Sequence, residues 1–342
     1  MSDSTGTSRP TTVVFSNVSG TARVAAADTT PKAGEFARRV DVDDARAAMV
    51  DVIVVCWNDK GKIATALDSV FALDEVREKP QFVNVVVSDN GSSDGSRDYL
   101  RERYGDRVRI VENGANLGFA AACNRAFTAT SAPFVFLLNP DAELKAGALA
   151  SIVAFMEAHP RCGIAGTRIY NQDGSIQESC GAFDTWTGAY LRSSAWGEWP
   201  MFRRYANGTK LRAWGHASER RVDLAIGAAL CIRRALIDEI GPFDERFFLY
   251  HEEVDFAKRA ADAGWETWYV PASEAVHEGM GSARGQYSVE GRKQTSRRKY
   301  WLKHHGPVWY GTLVAALVGR YVLYAGTLAA AIVAGKRIFA KR

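Results

Sequence analysis

Between Val50 and Leu138 the chain repeats one pattern: a short apolar run, a polar loop, then apolar residues at helical spacing. Val52-Ile53-Val54-Val55-Cys56 is such a run, followed by Trp57-Asn58-Asp59 and then by Ile63, Ala66, Leu67, Val70 and Phe71 on one helix face. A second strand runs from Val83 to Val87 and ends in Ser88-Asp89-Asn90-Gly91-Ser92-Ser93-Asp94-Gly95. The spacing then predicts a helix over 96–104, a strand over 108–111, a loop over 113–118, a helix over 119–128 and the strand Phe134-Val135-Phe136-Leu137-Leu138. Strands that alternate with helices pair in parallel, and a parallel sheet is covered on both faces. The fold class is α/β, with a mostly parallel central sheet flanked by helices.

The 342 residues have room for one large α/β domain with extensions. A net charge of +4 gives no reason to expect a nucleic-acid partner. Its distribution says more: Arg292-Lys293, Arg297-Arg298-Lys299, Lys336-Arg337 and Lys341-Arg342 lie late, and such clusters suit phosphates, anionic headgroups or a solvated face. The cysteines Cys56, Cys123, Cys162, Cys180 and Cys231 are scattered without CxxC spacing, which argues against a zinc site or disulfide framework. That usage, and an N-terminus without a basic-plus-apolar signal pattern, predicts a cytoplasmic setting. Residues 1–48 are rich in Ser, Thr and Ala without periodicity and read as a flexible extension.

Several loops carry residues suited to chemistry. Leu138 ends a buried strand, and Asn139-Pro140-Asp141 follows at once, at the end of the sheet where open α/β folds bind ligands. Asp141 is a candidate ligand for a divalent metal carrying a nucleotide diphosphate; a plain Asn-Pro-Asp turn is the competing reading. The Asp89 loop offers carboxylates for a ribose or base, although Asp94 equally suits a helix cap. No G-x-G-x-x-G follows the first strand and no G-x-x-x-x-G-K-[ST] occurs, which disfavours dinucleotide oxidoreductases and P-loop enzymes. Trp186, Trp196, Trp199 and Trp214 fall in an irregular stretch and suit either a carbohydrate surface or a local mini-core.

A strand is expected over 225–232, then a short helix ending at Gly241. Glu252, Glu253 and Asp255 open a further helix that runs to Gly264. Acidic residues there complement the helix dipole, yet three exceed what capping needs, and one is a candidate general base. A strand over 265–270 is expected to stop at Pro271, with His277 beyond it as a possible metal ligand or a structural histidine.

From Val308 to Gly335 the chain is almost wholly apolar, interrupted by Arg320. An arginine near mid-span costs roughly 2.5 kcal/mol or more in a bilayer. With aromatic and basic residues flanking the stretch, the expectation is a helix or helical pair lying on or dipping into the inner face of the membrane, over 301–342. A core or dimer-forming helix is the alternative, and homo-oligomers are left open.

Taken in order, the Val52–Val55 run, Asp89-Asn90-Gly91-Ser92, Asn116-Leu117-Gly118-Phe119-Ala120 with Asn124, Leu138-Asn139-Pro140-Asp141, Arg233-Arg234, Gly241-Pro242-Phe243-Asp244 and Phe248-x-Tyr-x-Glu-Glu-x-Asp resemble the family-2 glycosyltransferases. The likeness covers about residues 50–300 and is similar most of all to the rhamnosyltransferase-like bacterial branch. It implies a GT-A fold over 49–300, with a nucleotide-binding half (49–145) and an acceptor-binding half (146–300). By matched position it implies donor contacts from Cys56, Trp57, Asn58, Asp89, Asn116, Gly118, Phe119 and Asn139. It also implies a Mg2+ or Mn2+ ion at Asp141 with His277 nearby, and Glu253 as catalytic base. Glu253 stands where the family often has Asp, which keeps Glu252 and Asp255 as further candidates; Asn139 replaces the first carboxylate of a DXD motif. The implied reaction is inverting transfer of a sugar from a nucleotide-diphosphate donor to a glycan or polyprenyl-linked acceptor, with dTDP-rhamnose first and a UDP-hexose next. A nucleotidyltransferase and a non-catalytic nucleotide-sugar-binding module are the rival readings.

Overall fold

A computed structural model describes residues 48–194, 196, 199, 201, 214–279 and 286–339, so the extension expected over 1–48 lies, except for Ala48, outside the described residues. The apolar runs of the first half become β1 (Val50–Cys56), β2 (Val83–Asp89), β3 (Arg109–Glu112) and β4 (Phe134–Leu138). They are joined through α1 (Ile63–Ala72), α2 (Asp74–Glu78), α3 (Ser96–Tyr104) and α4 (Phe119–Phe127). The chain continues through β5 (Ala142–Leu144), α5 (Ala148–Ala158), β6 (Cys162–Tyr170), β7 (Cys180–Gly181), α6 (Trp186–Ser193), β8 (Arg220–Val222) and β9 (Leu224–Ala225). It ends with β10 (Ala229–Arg233), α7 (Arg234–Ile240), α8 (Glu252–Asp262), β11 (Glu266–His277) and α9 (Gln286–Phe339).

The main sheet has the order β3-β2-β1-β4-β10-β6-β11-β5, with β8 also on β11. Its first four strands are parallel, as the alternation predicts. Beyond β4 the sheet is mixed, because β10 runs antiparallel to both β4 and β6. Val50, Val52 and Val54 pack with α1 and α5 on one face, while Ile53 and Val86 pack with α4, α7 and α8 on the other. This is the two-faced burial that β-branched runs require. Asp51 is the exception inside β1: fully buried, it accepts from Ala132 N–H (2.6 Å) and Asn84 Nδ2 (3.0 Å) and pairs with Arg234 (3.2 Å). Arg233 donates to the carbonyls of Met156, His159 and Cys162, so both arginines of the Arg233-Arg234 motif staple the fold.

Two expected strand limits change. The run over 225–232 divides into β9 and β10. β11 does not stop at Pro271 but continues to His277 across a register shift between Val270 and Glu274. A bulge tolerates a residue without an N–H, so the proline bends the strand without ending it. The continuation pairs antiparallel with β5, with His277 opposite Ala142.

The C-terminal stretch forms one kinked helix. Gly306 (φ 80°, ψ 170°) interrupts α9 ahead of Pro307. Before the kink, Tyr300 and Trp301 are buried with Phe247, Ala189 and Leu313, so packing runs past the domain limit expected at 300. After it, Val308, Trp309, Val314, Leu317, Val318, Tyr321, Val322, Leu323 and Tyr324 are exposed. The stretch Gly291–Thr327 is long and apolar enough to cross a membrane by length and composition. Within the late basic cluster, Arg292 lies over Phe248, Lys293 over Tyr250, Arg297 pairs with Asp184, and Lys299 donates to Arg246 O.

Candidate active site

The loops at the C-terminal ends of β1 and β2 are laced together. Asn90 N–H donates to Cys56 O (2.7 Å), and Asn58, at φ 57°, donates its N–H to Ser92 Oγ (3.0 Å) while its side chain accepts from Ser93 N–H (2.8 Å). Trp57 beside them is 40% exposed. Asp89 is 1% exposed; its carboxylate takes Ser92 N–H at 3.3–3.4 Å and faces Arg97 at 3.6 Å, so it holds the loop from beneath. Asp94 accepts from Ser96 N–H (3.0 Å) at the start of α3, as a capping carboxylate does.

Asn90, which sequence reasoning passed over, staples the next loop. Its Oδ1 accepts from Leu117 N–H (3.0 Å), and its Nδ2 donates to Asn116 Oδ1 (3.0 Å), which also takes Gly118 N–H (3.1 Å). Gly118 (φ 88°) is required: a Cβ there would strike the Phe248 carbonyl and ring. Phe119 N–H donates to Phe248 O at 2.7 Å, locking the start of α4 to the aromatic loop before α8. Asn124 reinforces this from α4, exchanging hydrogen bonds with the Phe243 backbone (2.9 and 3.0 Å).

Past β4, the β5–β11 ladder brings His277 back beside Asn139 and Asp141. His277 Nε2 lies 3.2 Å from Asp141 Oδ1 and 3.3 Å from Asn139 Nδ2. Its Nδ1 meets Gln177 Oε1 at 3.0 Å; Gln177 Nε2 donates to Asn171 (3.0 Å), so that amide oxygen accepts and Nδ1 carries the hydrogen. Burial works to raise the Asp141 carboxyl, but the hydrogen bond and charge of His277, with Lys62 adding, hold it below its ordinary value. Lys62 pairs with Glu278, whose N–H donates to Asp141 O at 3.1 Å. Asp59, likewise unforeseen, joins this cleft: burial raises its carboxyl, a backbone hydrogen bond at Trp57 opposes, and the charge of Asp141 adds to the rise.

This donor set fits a divalent cation. One carboxylate oxygen and one imidazole nitrogen stand 3.2 Å apart, close to the roughly 3.0 Å between adjacent donors of an octahedral ion with bonds of about 2.1 Å. Among the described residues no three His, Cys, Asp or Glu side chains cluster closely enough to hold a metal alone. A two-donor protein site leaves positions for phosphate oxygens and water, as magnesium-type sites commonly do.

The third component is the start of α8. Tyr250 and His251 hold left-handed backbone (φ 68° and 69°), at roughly 1–2 kcal/mol each for residues with a Cβ. Burial pushes the His251 imidazole down to about 4, with Arg297 acting the same way, so a neutral ring precedes the acidic pair. Glu252 is buried, and burial with the Glu253 charge raises its carboxyl well above the ordinary value. Burial likewise raises Glu253, a residue that stays partly exposed. Each has one buried oxygen, Oε2, without a hydrogen-bond partner. Asp255 differs: it is fully buried, bonded to Arg259 Nε (3.0 Å), His304 Nε2 (2.7 Å) and Lys303 Nζ (2.7 Å). Burial would raise its carboxyl, but the hydrogen bonds of His304 and Lys303, with the charges of Lys303 and Arg259, hold it below the ordinary range.

The aromatic stretch divides between its two readings. Trp186 stacks on Tyr190 and bonds Thr312, and Trp214 packs on Tyr269, as mini-core members; Trp196 and Trp199 touch each other (5.1 Å) and are more than half exposed at 53% and 52%.

Comparison with known proteins gives a consistent picture. The family model described as Glycosyl transferase family 2 matches residues 51–204, and that described as Glycosyl transferase family group 2 matches residues 134–334. The N-acetylglucosaminyl-diphospho-decaprenol L-rhamnosyltransferase of Mycobacterium tuberculosis (strain H37Rv) is 31% identical over 217 residues, covering 60% of this chain and 69% of that protein. Rhamnosyltransferase WbbL of Escherichia coli K12 is 32% identical over 71 residues, 21% of this chain and 27% of that one. Among solved structures, a mannosyltransferase from Pyrobaculum calidifontis in complex with GDP-Man and Mn2+ superposes with a TM-score of 0.50 at 19% identity, covering 87% of this chain and 85% of that chain.

Proposed function

This chain belongs to the family-2 glycosyltransferases, and from that premise we propose that it is a metal-dependent, inverting transferase that moves L-rhamnose from dTDP-rhamnose to a hydroxyl of a lipid-linked or growing glycan. It has the GT-A fold and is a nucleotide-sugar glycosyltransferase of the rhamnosyltransferase-like kind. The observation that carries the assignment of a base to this helix start is the pair of unpartnered buried oxygens on Glu252 and Glu253, beside an Asp255 engaged by Arg259, Lys303 and His304; the donor is carried by the likeness to the rhamnosyltransferases.

Glu253 is the base in this reading. It is the partly exposed member of the pair, and its raised carboxyl brings it closer to the acidity an acceptor hydroxyl demands. It removes the hydroxyl proton as the oxygen attacks the anomeric carbon, and a single displacement inverts that centre. Burial and the Glu253 charge hold the Glu252 carboxyl above its ordinary value beside it, and Asp255 anchors the helix. Asp141 and His277 would hold the divalent ion, Mg2+ or Mn2+, with Asn139 steadying the ring. Such an ion, when bound, neutralises charge gathering on the leaving diphosphate. Lys62, which already acts on Asp141, adds positive charge in the same cleft. The loops of Cys56, Trp57, Asn58, Asp89, Asn116, Gly118 and Phe119 border the nucleotide and donor sugar. The exposed apolar half of α9 supports a position on the cytoplasmic membrane surface, where a polyprenyl-linked acceptor would be met.

The test is a donor-hydrolysis screen of the full-length protein with Mg2+ or Mn2+. Fastest release of dTDP from dTDP-rhamnose supports the reading; faster hydrolysis of a UDP-hexose reassigns the donor.

A further inference from the structure

The first half of α9 grips the loop that delivers Glu253, and it does so along one face. Ser296 Oγ donates to Leu249 O (2.8 Å), Lys299 Nζ donates to Arg246 O, and Lys303 Nζ lies 2.7 Å from both Asp244 Oδ2 and Asp255 Oδ1. Positions 296, 299 and 303 recur at three- and four-residue spacing, which makes them a single stripe on the helix. Lys303 is the member that bridges. Asp244 opens the loop, Phe247 within it lies 5.9 Å below the ammonium, and Asp255 sits in the first turn of α8, two residues beyond Glu253. Between those anchors Tyr250 and His251 hold left-handed backbone, a conformation that persists only where the surroundings enforce it.

We propose that Lys303 is a positioning residue for glycosyl transfer: its ammonium closes the loop over 244–251 onto α8 and so fixes where the Glu253 carboxylate stands. The inference rests on the reading of Glu253 as base. Loss of Lys303 leaves Asp255 bonded to Arg259 and His304, and Asp244 bonded to Arg246, so the buried charges keep partners and the variant is expected to fold.

The experiment uses the full-length chain and Mn2+, following hydrolysis of dTDP-rhamnose or whichever nucleotide sugar the wild type hydrolyses fastest. Lys303→Met is expected to lower kcat at least tenfold while donor KM and calorimetric affinity for Mn2+–dTDP stay within twofold. Lys303→Arg, which can still span both carboxylates, restores most of the rate. Lys258→Met, which removes the exposed pair with Asp262 on the same helix, keeps the wild-type rate. In a Glu253→Gln background Lys303→Met is expected to add no further loss, since both act on one step. Unchanged kcat in Lys303→Met overturns the proposal. So does a fall in kcat and donor affinity by the same factor that Arg does not restore. Wild-type turnover in Glu253→Gln alone refutes the base assignment, while the kcat and KM of Lys303→Met still decide the positioning role. Should Lys303→Met fail to fold, Lys303→Gln is judged by the same criteria.

Discussion

His277 Nε2 stands 3.2 Å from Asp141 Oδ1, although 135 residues lie between them in the chain, because the second half of β11 pairs with β5. The juxtaposition is made by the strand's passage through Pro271. Without that bulge the two donors would not share a cleft.

The first expectation concerns those donors. His277→Ala and Asp141→Ala should each weaken Mn2+-dependent dTDP binding by roughly tenfold or more, the loss typical when a metal site is disturbed. Calorimetry with and without Mn2+ decides: unchanged metal-dependent affinity removes either residue from the site.

Glu253→Gln should reduce transfer by at least about a hundredfold while preserving donor binding, because the amide keeps the shape and cannot take a proton. Glu252→Gln should cost far less. A normal rate in the Glu253 variant would hand the role to its neighbour.

The acidic pair also bears on stability. Burial raises the Glu252 carboxyl above its unfolded value, so the folded state binds that proton more tightly. Stability from this group is full below the unfolded pKa and is lost as pH rises through the folded one. Glu252→Gln should therefore melt higher than wild type at pH 7, by roughly 2–4 °C per kcal/mol relieved, with the gain vanishing below about pH 4. Calorimetric scans across that range check the sign.

Truncation separates the two halves of α9. Ending the chain after residue 316 keeps Thr312 and Leu313 in their packing and should release it from membranes while leaving a folded enzyme, whereas ending it after 295 removes Tyr300, Trp301 and Lys303 and should unfold the aromatic loop. Sedimentation with vesicles and thermal melting distinguish them; a full-length protein that never sediments removes the membrane role.

Much of this was legible in the sequence. The runs at Val52, Val83 and Phe134 are buried on both faces, so hydrophobicity alone marks them as parallel strands, and Glu252 opens its helix where expected. Position relative to distant chain was not legible. Nothing local to Gln177, Lys62 or Lys303 says that they meet His277, Glu278 and Asp255, since those encounters depend on strand register and helix docking. Pro271 misled because the residue that stops a regular strand also fits a bulge. Asp255 looked equivalent to Glu252 and Glu253 until its partners Lys303, His304 and Arg259, 48 and 49 positions later or one turn along, were in place.

The kink at Gly306 has a consequence for acceptor choice. Val308, the first apolar exposed residue after it, is five positions beyond Lys303, with the kink between them. If the stem meets lipid there, the acidic pair at the start of α8 would stand near the headgroup plane. The enzyme would then measure its substrates by height: a sugar close to its lipid diphosphate is within reach, and the far tip of a long, extended glycan is not.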